Sequence, residues 1–375
     1  MKNQGQLLRT LGVWSATLLV ISSIVGSGVF KKIAPMSAAL LSSGWVLAAW
    51  LLAGLISLFG ALSNAEVASM LADSGGEYVY FRKIYNRFFA FMYGWTCFTV
   101  IRSASIASIA YVFSQAFNNL FPLPNFIPES LAQLSLLETF KPFDNFSVKL
   151  LTIFVVWLLS YINIRGLKTG ENLSNVITAT VVVCIFLVVV LGLTIGNGSF
   201  SHIQTNATNY VTPSFFNFLT VLFTALLGAF WAYEGWASVG YLGGEIKNPQ
   251  RNIPLALFFG VMTVMLVYLA INFTYLYVLP IDNFVSIFEA KNEIAAVAVV
   301  KSFLGNTGSL LISALIMVAT FGCTNTTILM ASRLYYKMAN ENLFFKGADF
   351  IHPKYNTPSF SLWMQAFWAS VLILS

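Results

Sequence analysis

Long runs of apolar residues alternate along this chain with shorter segments that hold most of its polar and charged residues. A helix needs about 20 apolar residues to cross the hydrocarbon core of a bilayer. The pattern therefore predicts eight membrane-spanning helices, at residues 11–33, 43–70, 88–117, 147–164, 172–196, 214–242, 254–279 and 308–332. A ninth is predicted to begin near Pro358, and we expect the chain to stop inside it.

One further segment, 284–304, is amphipathic rather than uniformly apolar. It predicts a helix that lies across the external mouth of the helix bundle, although an ordinary surface helix fits the pattern equally well.

Lysine and arginine are distributed unevenly over the segments between the predicted spans. With the N-terminus inside the cell, thirteen of them fall on the cytoplasmic side and six on the external side. Cytoplasmic loops of membrane proteins carry an excess of these residues. We therefore expect a multi-pass protein of the inner or plasma membrane with a cytoplasmic N-terminus.

Composition agrees with a membrane location. The chain is 58% hydrophobic and only 9% charged, whereas soluble domains carry about 25% charged residues. The net charge of +6 is modest and gives no reason to expect a nucleic-acid partner. Its three cysteines lie in apolar runs without a CxxC pair, and its two histidines lie in loops. We expect no metal, no cofactor and, since the hydrolase and nucleotide-binding motifs are absent, no enzyme activity.

Two of the predicted spans are interrupted near their middle. The first break is Gly26-Ser27-Gly28 and the second is Glu234-Gly235. Interrupted helices at corresponding places in two halves of a chain are typical of the substrate site of a secondary transporter. The unwound backbone leaves N–H and C=O groups without intrahelical partners, and a bound solute can satisfy them. For the glycines alone, close helix packing is an equally good explanation.

Two ionisable residues, Glu234 and Arg102, lie in the interior of predicted spans and away from their ends, where charge is costly and often functional. Glu234 stands in the second break, beside the aromatic residues Trp231, Tyr233 and Trp236. Arg102, in the third span, has no carboxylate within one helical turn, so its partner must come from another helix, and Glu234 is a candidate. Both residues have structural alternatives, a carboxylate bonded to nearby backbone and an arginine that ties unwound carbonyls together.

Motifs along the whole chain resemble the APC superfamily of amino-acid transporters, and within it the L-type amino-acid transporter (LAT) group and its bacterial relatives. These motifs are residues 24–30, 74–80, 101–107, 231–236, 245–249, 251–254, 332–339 and 352–354. The resemblance implies an all-α membrane protein with a LeuT-type five-plus-five inverted repeat, broken first and sixth helices, and a chain that ends in the ninth helix. Residues 1–197 would form the first repeat (helices 1–5), and residues 198–375 an incomplete second repeat (helices 6–9).

The resemblance also implies a substrate site. The backbone N–H groups of Gly26, Ser27 and Gly28 would bind the substrate carboxylate. The substrate α-amino group would meet backbone carbonyls of Ile24, Val25, Trp231, Ala232 and Glu234. Trp231 would be the aromatic gate over the substrate, and Tyr268 would be a binding-site tyrosine.

The chain departs from the family pattern at three positions. Val181 stands where many bacterial relatives have a lysine, Glu234 replaces a glycine of the mammalian pattern, and Ser103 stands where proline is common. Glu234 and Arg102 are therefore candidates either for coupling or for structural roles. A single-span partner subunit serves the mammalian LAT proteins, whereas bacterial relatives do without one.

We therefore expect a secondary transporter of neutral L-amino acids that works by exchange or by proton-linked uptake, with alternating access. A carrier of cationic amino acids or amines is the alternative that Glu234 suggests. A membrane protein that binds without transporting, or a truncated remnant, is the alternative from another class.

Overall fold

The protein is described by a computed structural model that covers residues 7–128, 141–290 and 294–375. Within these ranges the chain is helical, and three isolated β-bridges are its only strand-like contacts. The α-helices are Val13–Ile24, Gly28–Lys31, Ile33–Leu40, Ser43–Met70, Glu77–Ile84, Arg87–Thr96, Arg102–Leu120, Phe146–Ile164, Leu167–Ile195, Phe200–Gln204, Phe215–Tyr233, Pro249–Val278, Ile281–Ala290, Ala295–Asn340 and Ser359–Leu374; a π-helical segment is Cys97–Ile101 and a 3-10 helix is Trp236–Tyr241.

Eight stretches of the described chain are long and apolar enough to cross a membrane, which confirms the predicted spans. In chain order they are Val13–Lys31, Ser43–Met70, Arg87–Leu120, Phe146–Ile164, Leu167–Ile195, Phe215–Tyr241, Pro249–Val278 and Ala295–Asn340. We refer to them as the first to eighth spans. The ninth predicted helix is present as Ser359–Leu374, which is shorter.

The stretch Ala295–Asn340 consists of two helices that meet at a kink. The backbone leaves helical geometry at Gly305 (φ 59°, ψ −150°), so one helix covers 295–304 and the helix after the kink contains the predicted span 308–332. The single amphipathic helix predicted over 284–304 is therefore wrong. Its first part belongs to the helix Ile281–Ala290 and its last part to the helix before the kink, while residues 291–293 lie outside the described ranges.

The first span lies at the centre of the bundle. In its most apolar stretch 78% of the residues are buried, against 22% in the fifth and sixth spans. It packs against the fifth, seventh and eighth spans. Small and hydroxyl side chains allow this close contact. Thr326 donates to Ser22 at 2.8 Å, Ser174 and Thr326 lie 2.7 Å apart, and Asn325 donates to Ser174 at 2.8 Å. These hydrogen bonds tie the first, fifth and eighth spans together.

One end of the bundle is closed by ionic and backbone contacts. We call it the basic end because it holds Arg9, Arg82, Lys247, Arg333 and Lys337 among others. At its centre the Arg333 guanidinium donates to both carboxylate oxygens of Glu245, at 2.8 and 3.1 Å, and both side chains are fully buried.

Contacts between distant segments surround this ion pair. The N–H groups of Thr10 and Leu11 donate to the carbonyl of Glu245, and the N–H of Lys247 donates to the carbonyl of Leu11. Lys337 pairs with Asp73 at 2.5 Å. The chain before the first span and the loop after the sixth span are thereby joined across the basic end.

The other end of the bundle contains a cavity of about 660 Å³. Its wall includes polar side chains from the first, third and eighth spans, namely Lys31, Tyr111, Gln115, Asn118, Asn119 and Ser313. The two ends of the bundle therefore differ, with one closed by paired charges and the other open to a polar cavity.

Candidate functional site

The break in the first span lies where the glycines predict it. The helix ends at Ile24, and the Val25 backbone is extended (ψ 91°) before helical structure resumes at Gly28. The Gly26 N–H donates to the Ile24 carbonyl at 2.9 Å. Among the described residues, the N–H groups of Ser27 and Gly28 donate to no backbone carbonyl. The break therefore offers free backbone donors in the middle of the bundle.

The break in the sixth span is sharper. The helix ends at Tyr233, Glu234 is extended (φ −65°, ψ 148°), and Gly235 has φ +124°. That value of φ is in the left-handed region, which glycine adopts without the steric penalty of a side chain. A 3-10 helix follows from Trp236. The sixth helix is thus broken at Glu234-Gly235, as the sequence predicts.

The two breaks lie against each other, and the glycines make this approach possible. A Cβ atom at Gly235 would lie 2.3 Å from the carbonyl oxygen of Ser23, and one at Gly28 would lie 2.8 Å from the Cβ of Ala232. The Ser23 hydroxyl lies 3.1 Å from the carbonyl oxygen of Gly235. Close packing therefore accounts for glycine at Gly28 and at Gly235.

Tyr268, on the seventh span, links the two broken helices. Its side chain is fully buried, and its hydroxyl lies 3.2 Å from the Ile24 carbonyl oxygen and 3.1 Å from that of Ala232. A hydroxyl group has a single hydrogen to donate, so it serves one of these carbonyls at a time. The other carbonyl oxygen can accept from a bound donor such as an ammonium group.

Trp231 lies at the edge of this junction. Its ring comes within 3.4 Å of the place where a Gly28 Cβ would be. The Trp231 residue is half exposed (50%), and the Lys32 ammonium lies 4.4 Å from the ring centroid. Ser27, Val25 and Ala232 are buried. The structure thus brings the predicted binding residues to one junction of the first, sixth and seventh spans.

Arg102 reaches the junction from the third span. Its Nη1 donates to Oε1 of Glu234 at 3.0 Å; the arginine side chain is buried, whereas that of Glu234 is 54% exposed. The guanidinium also lies over the ring of Tyr241, 5.5 Å from its centroid. Of the partners considered for Arg102, the structure selects Glu234.

A local change of helix type positions Arg102. Residues Cys97–Ile101 form a π-helical turn, in which the N–H of Arg102 donates to the carbonyl of Cys97, and the Ser103 hydroxyl donates to the carbonyl of Phe98 at 2.6 Å. Such turns are rare and occur often at functional sites. Hydropathy does not reveal this turn.

Glu77 lies within one of the sequence motifs, residues 74–80, yet the sequence predicts no role for it. The glycine pair before it has positive φ, and a Cβ at Gly76 would lie 2.6 Å from the Tyr241 ring. This contact brings the start of the helix Glu77–Ile84 under the sixth-span break. Arg102, Tyr241 and Glu234 are the charged and titratable groups near enough to influence the pKa of the Glu77 carboxyl group. Its position depends on tertiary contacts, so no pattern in the sequence reveals it.

The described residues contain no cluster of three or more His, Cys, Asp or Glu side chains that could hold a metal ion. The breaks and the Arg102–Glu234 pair supply hydrogen-bond donors, acceptors and charge of both signs. Such a site can bind a small zwitterionic or cationic solute.

The arrangement of the spans is that of the LeuT-type transporters. The structure of Mhp1, a nucleobase-cation-symport-1 family transporter in a closed conformation with bromovinylhydantoin bound, is similar to this chain with a TM-score of 0.60. The match covers all of this chain and 74% of the Mhp1 chain. The sequence identity is 12%, so this likeness bears on the fold alone. The protein is therefore an all-α, multi-pass membrane protein of the LeuT fold class.

Within that class, the sequence model of the amino acid permease family matches residues 11–375, and this chain belongs to that family. The serine/threonine exchanger SteT of Bacillus subtilis is 30% identical over 370 residues, covering 98% of this chain and 77% of SteT. The human b(0,+)-type amino acid transporter 1 is 26% identical, covering 98% of this chain and 70% of the relative. The human large neutral amino acids transporter small subunit 2 is 26% identical, covering 94% and 62%. The resemblance to the LAT group is confirmed.

Proposed function

We propose that this protein is a secondary active transporter of neutral L-amino acids, which works by exchange or proton-linked uptake with alternating access. The observation that carries the proposal is the position of the Tyr268 hydroxyl, within 3.2 Å of a backbone carbonyl oxygen of each broken helix. Family membership and the amino-acid transporters among its relatives support the same function.

In this proposal the substrate lies between the two breaks. Its carboxylate accepts hydrogen bonds from the backbone N–H groups of Gly26, Ser27 and Gly28. Those of Ser27 and Gly28 donate to no backbone carbonyl among the described residues, and that of Gly26 exchanges its bond to the Ile24 carbonyl for one to the substrate. N–H groups at the start of a helix favour negative charge. The three glycine-flanked donors supply affinity for the group that all amino acids share.

The substrate ammonium group completes the binding mode. It donates to the carbonyls at the ends of the helices, those of Ile24 and Val25 in the first span and of Trp231, Ala232 and Glu234 in the sixth. Trp231 acts as the gate, since its half-exposed ring borders the junction next to Gly28.

Alternating access follows from the difference between the two ends of the bundle. We propose that residues 1–197 and 198–375 belong to two inverted repeats, each opening with a broken helix. The paired charges at the basic end support a state closed on that side, and the cavity at the other end supports access from there. We place the basic end in the cytoplasm of a cell with the protein in its inner or plasma membrane.

A carrier of cationic amino acids or amines is the second candidate. The observation that favours it is the half-exposed carboxylate of Glu234 at the junction. Glu234→Gln removes this charge with little change of shape. The variant also removes the charged partner of Arg102, so the readout is the ratio of arginine to leucine transport. If the substrate is cationic, this ratio falls about tenfold or more, since a charged hydrogen bond contributes about 1.5–3 kcal/mol; if the substrate is neutral, the ratio is unchanged.

The test is uptake of radiolabelled alanine, leucine and arginine into proteoliposomes that contain the purified protein and no other subunit. Uptake that needs internal amino acid identifies an exchanger, and uptake driven by a pH gradient alone identifies proton coupling. Uptake without added protein partners also supports our proposal that the chain needs no partner subunit. A protein that binds an amino acid and moves none would be a non-transporting binder, which contradicts the proposal.

A further inference from the structure

Two buried side-chain atoms near the sixth-span break, a carboxyl oxygen and a guanidinium nitrogen, are left without partners. They are Oε2 of Glu77 and Nε of Arg102, and neither has a hydrogen-bond partner among the described residues. A buried polar group without a partner is costly, and more so if it is charged. A second state of the protein, in which the two groups bind each other, explains why both are kept at buried positions.

The surroundings of Glu77 are well defined. The charged and titratable groups on the elements around it are Arg102, Tyr93 and Cys97 on the third span, Tyr241 and Glu234 on the sixth, and Tyr80 on its own helix. The Tyr93 and Tyr241 hydroxyls are bonded to each other at 2.9 Å. Lys337, on the eighth span, is already paired with Asp73.

Charge balance decides how many protons this cluster holds. It contains two carboxyl groups, Glu77 and Glu234, and one guanidinium, Arg102. With both carboxylates ionised the cluster carries a net negative charge, and the part of that charge on the buried Oε2 of Glu77 is costly. One proton makes the cluster neutral, and it belongs to the coupled pair of carboxyl groups.

Geometry assigns that proton to Glu77 in this state. Glu234 is bonded to the guanidinium at 3.0 Å and is half exposed to solvent, whereas Oε2 of Glu77 is buried and has no hydrogen-bond partner among the described residues. Burial raises the pKa of Glu77, an effect that the nearby Arg102 charge opposes. The protonated form of Glu77 therefore persists to higher pH than that of an ordinary glutamate.

We propose that Glu77 carries the proton that is exchanged during transport, and that Arg102 alternates between Glu234 and Glu77. When the sixth-span break rearranges and Glu234 leaves Arg102, the free edge of the guanidinium pairs with Glu77. The O–H bond of the Glu77 carboxyl group then breaks, and its proton passes to water at the basic end, where the helix Glu77–Ile84 lies. When Arg102 returns to Glu234, the carboxylate of Glu77 takes a proton from water and its O–H bond forms again. This inference rests on the proposed transport function and names a coupling residue for it.

The test is the pH profile of amino-acid transport in proteoliposomes for the wild type, Glu77→Gln and the control Glu66→Gln. Glu66 is an exposed carboxylate near the same end of the second span. For the wild type and the control we expect a rate that changes with pH, by at most about tenfold per unit for a single proton. For Glu77→Gln we expect a profile that is flat to within about twofold, with substrate binding retained. A Glu77→Gln profile that follows the wild type overturns the proposal.

A second measurement does not depend on transport. Infrared difference spectroscopy on the purified protein detects the C=O stretch of a protonated carboxylic acid. We expect such a band in the wild type near neutral pH and in Glu66→Gln, and its loss in Glu77→Gln. A band that survives in Glu77→Gln overturns the assignment. A wild type that moves no amino acid refutes the proposed transport function, while the infrared result still decides whether Glu77 holds a proton.

If Glu77→Gln lowers the thermal stability too far for these assays, Glu77→Asp replaces it. A shorter carboxyl group keeps a titratable proton but changes its distance from Arg102, so we expect the pH profile to shift. An unchanged profile for Glu77→Asp contradicts the proposal.

Discussion

Replacing Gly28 by alanine tests whether the two broken helices must touch for the protein to work. A Cβ at this position would lie 2.8 Å from the Cβ atom and 2.9 Å from the backbone of Ala232. Favourable carbon–carbon distances are about 3.5–4.0 Å, so the new methyl group would be nearly 1 Å too close to a neighbour that includes backbone. One helix must shift for the side chain to fit.

The size of the effect follows from the cost of overpacking. Extra methyl groups in well-packed interiors cost about 1–3 kcal/mol, which corresponds to a factor of about 5 to 150 in an equilibrium constant. We expect Gly28→Ala to lower amino-acid affinity or exchange rate by a factor in this range, because the shift separates the N–H donors of the first break from the carbonyls of the sixth.

The assay compares exchange rate, substrate affinity and thermal stability for three variants. Gly12→Ala is the control, since a Cβ at Gly12 meets no atom within 4 Å; it should behave as the wild type. The double variant Gly28→Ala/Ala232→Gly removes the clash between the two methyl groups but keeps the clash with the backbone of the sixth span, so we expect partial recovery. Wild-type exchange and stability in Gly28→Ala would refute the argument that close approach of the two breaks is required.

Two further predictions concern other interactions of the same structure. Tyr268→Phe removes the hydroxyl between the two broken helices, and we expect substrate affinity to fall about three- to tenfold in a binding assay, as for the loss of one hydrogen bond; unchanged affinity would show that the hydroxyl does not organise the site. Arg333→Met or Glu245→Gln alone leaves a buried charge without its partner and should cost about 3–5 kcal/mol of unfolding free energy, whereas the double variant should cost less than the sum; additive losses in denaturation experiments would contradict a direct interaction.

Hydropathy predicts the spans well because the thickness of the bilayer fixes how many apolar residues each must contain. The breaks are predictable for a related reason, since Gly26, Gly28 and Gly235 interrupt runs that are otherwise uniformly apolar. The segment before the eighth span is less predictable: residues 284–304 are amphipathic, and a pattern of that kind does not show that they belong to two helices rather than one.

Interactions within the site can be predicted only in part. The sequence identifies Arg102 and Glu234 as charges in need of partners, yet they are 132 residues apart, and only packing decides that they meet. Glu77 falls between two predicted spans, and the sequence does not predict its place near Tyr241, because the tight approach of Gly76 to Tyr241 depends on the geometry of both elements. Periodicity describes which face of a helix is apolar, but it does not specify which other helix that face will meet.

The backbone pairing at the basic end has a consequence for observing the transport cycle. The amide hydrogens of Thr10, Leu11 and Lys247 are bonded across that end, between segments more than 200 residues apart in the chain. Amide hydrogens exchange with solvent only when their bonds open. Their rate of deuterium uptake therefore measures how readily the basic end opens. This measurement needs no covalent label on the protein and no knowledge of the substrate.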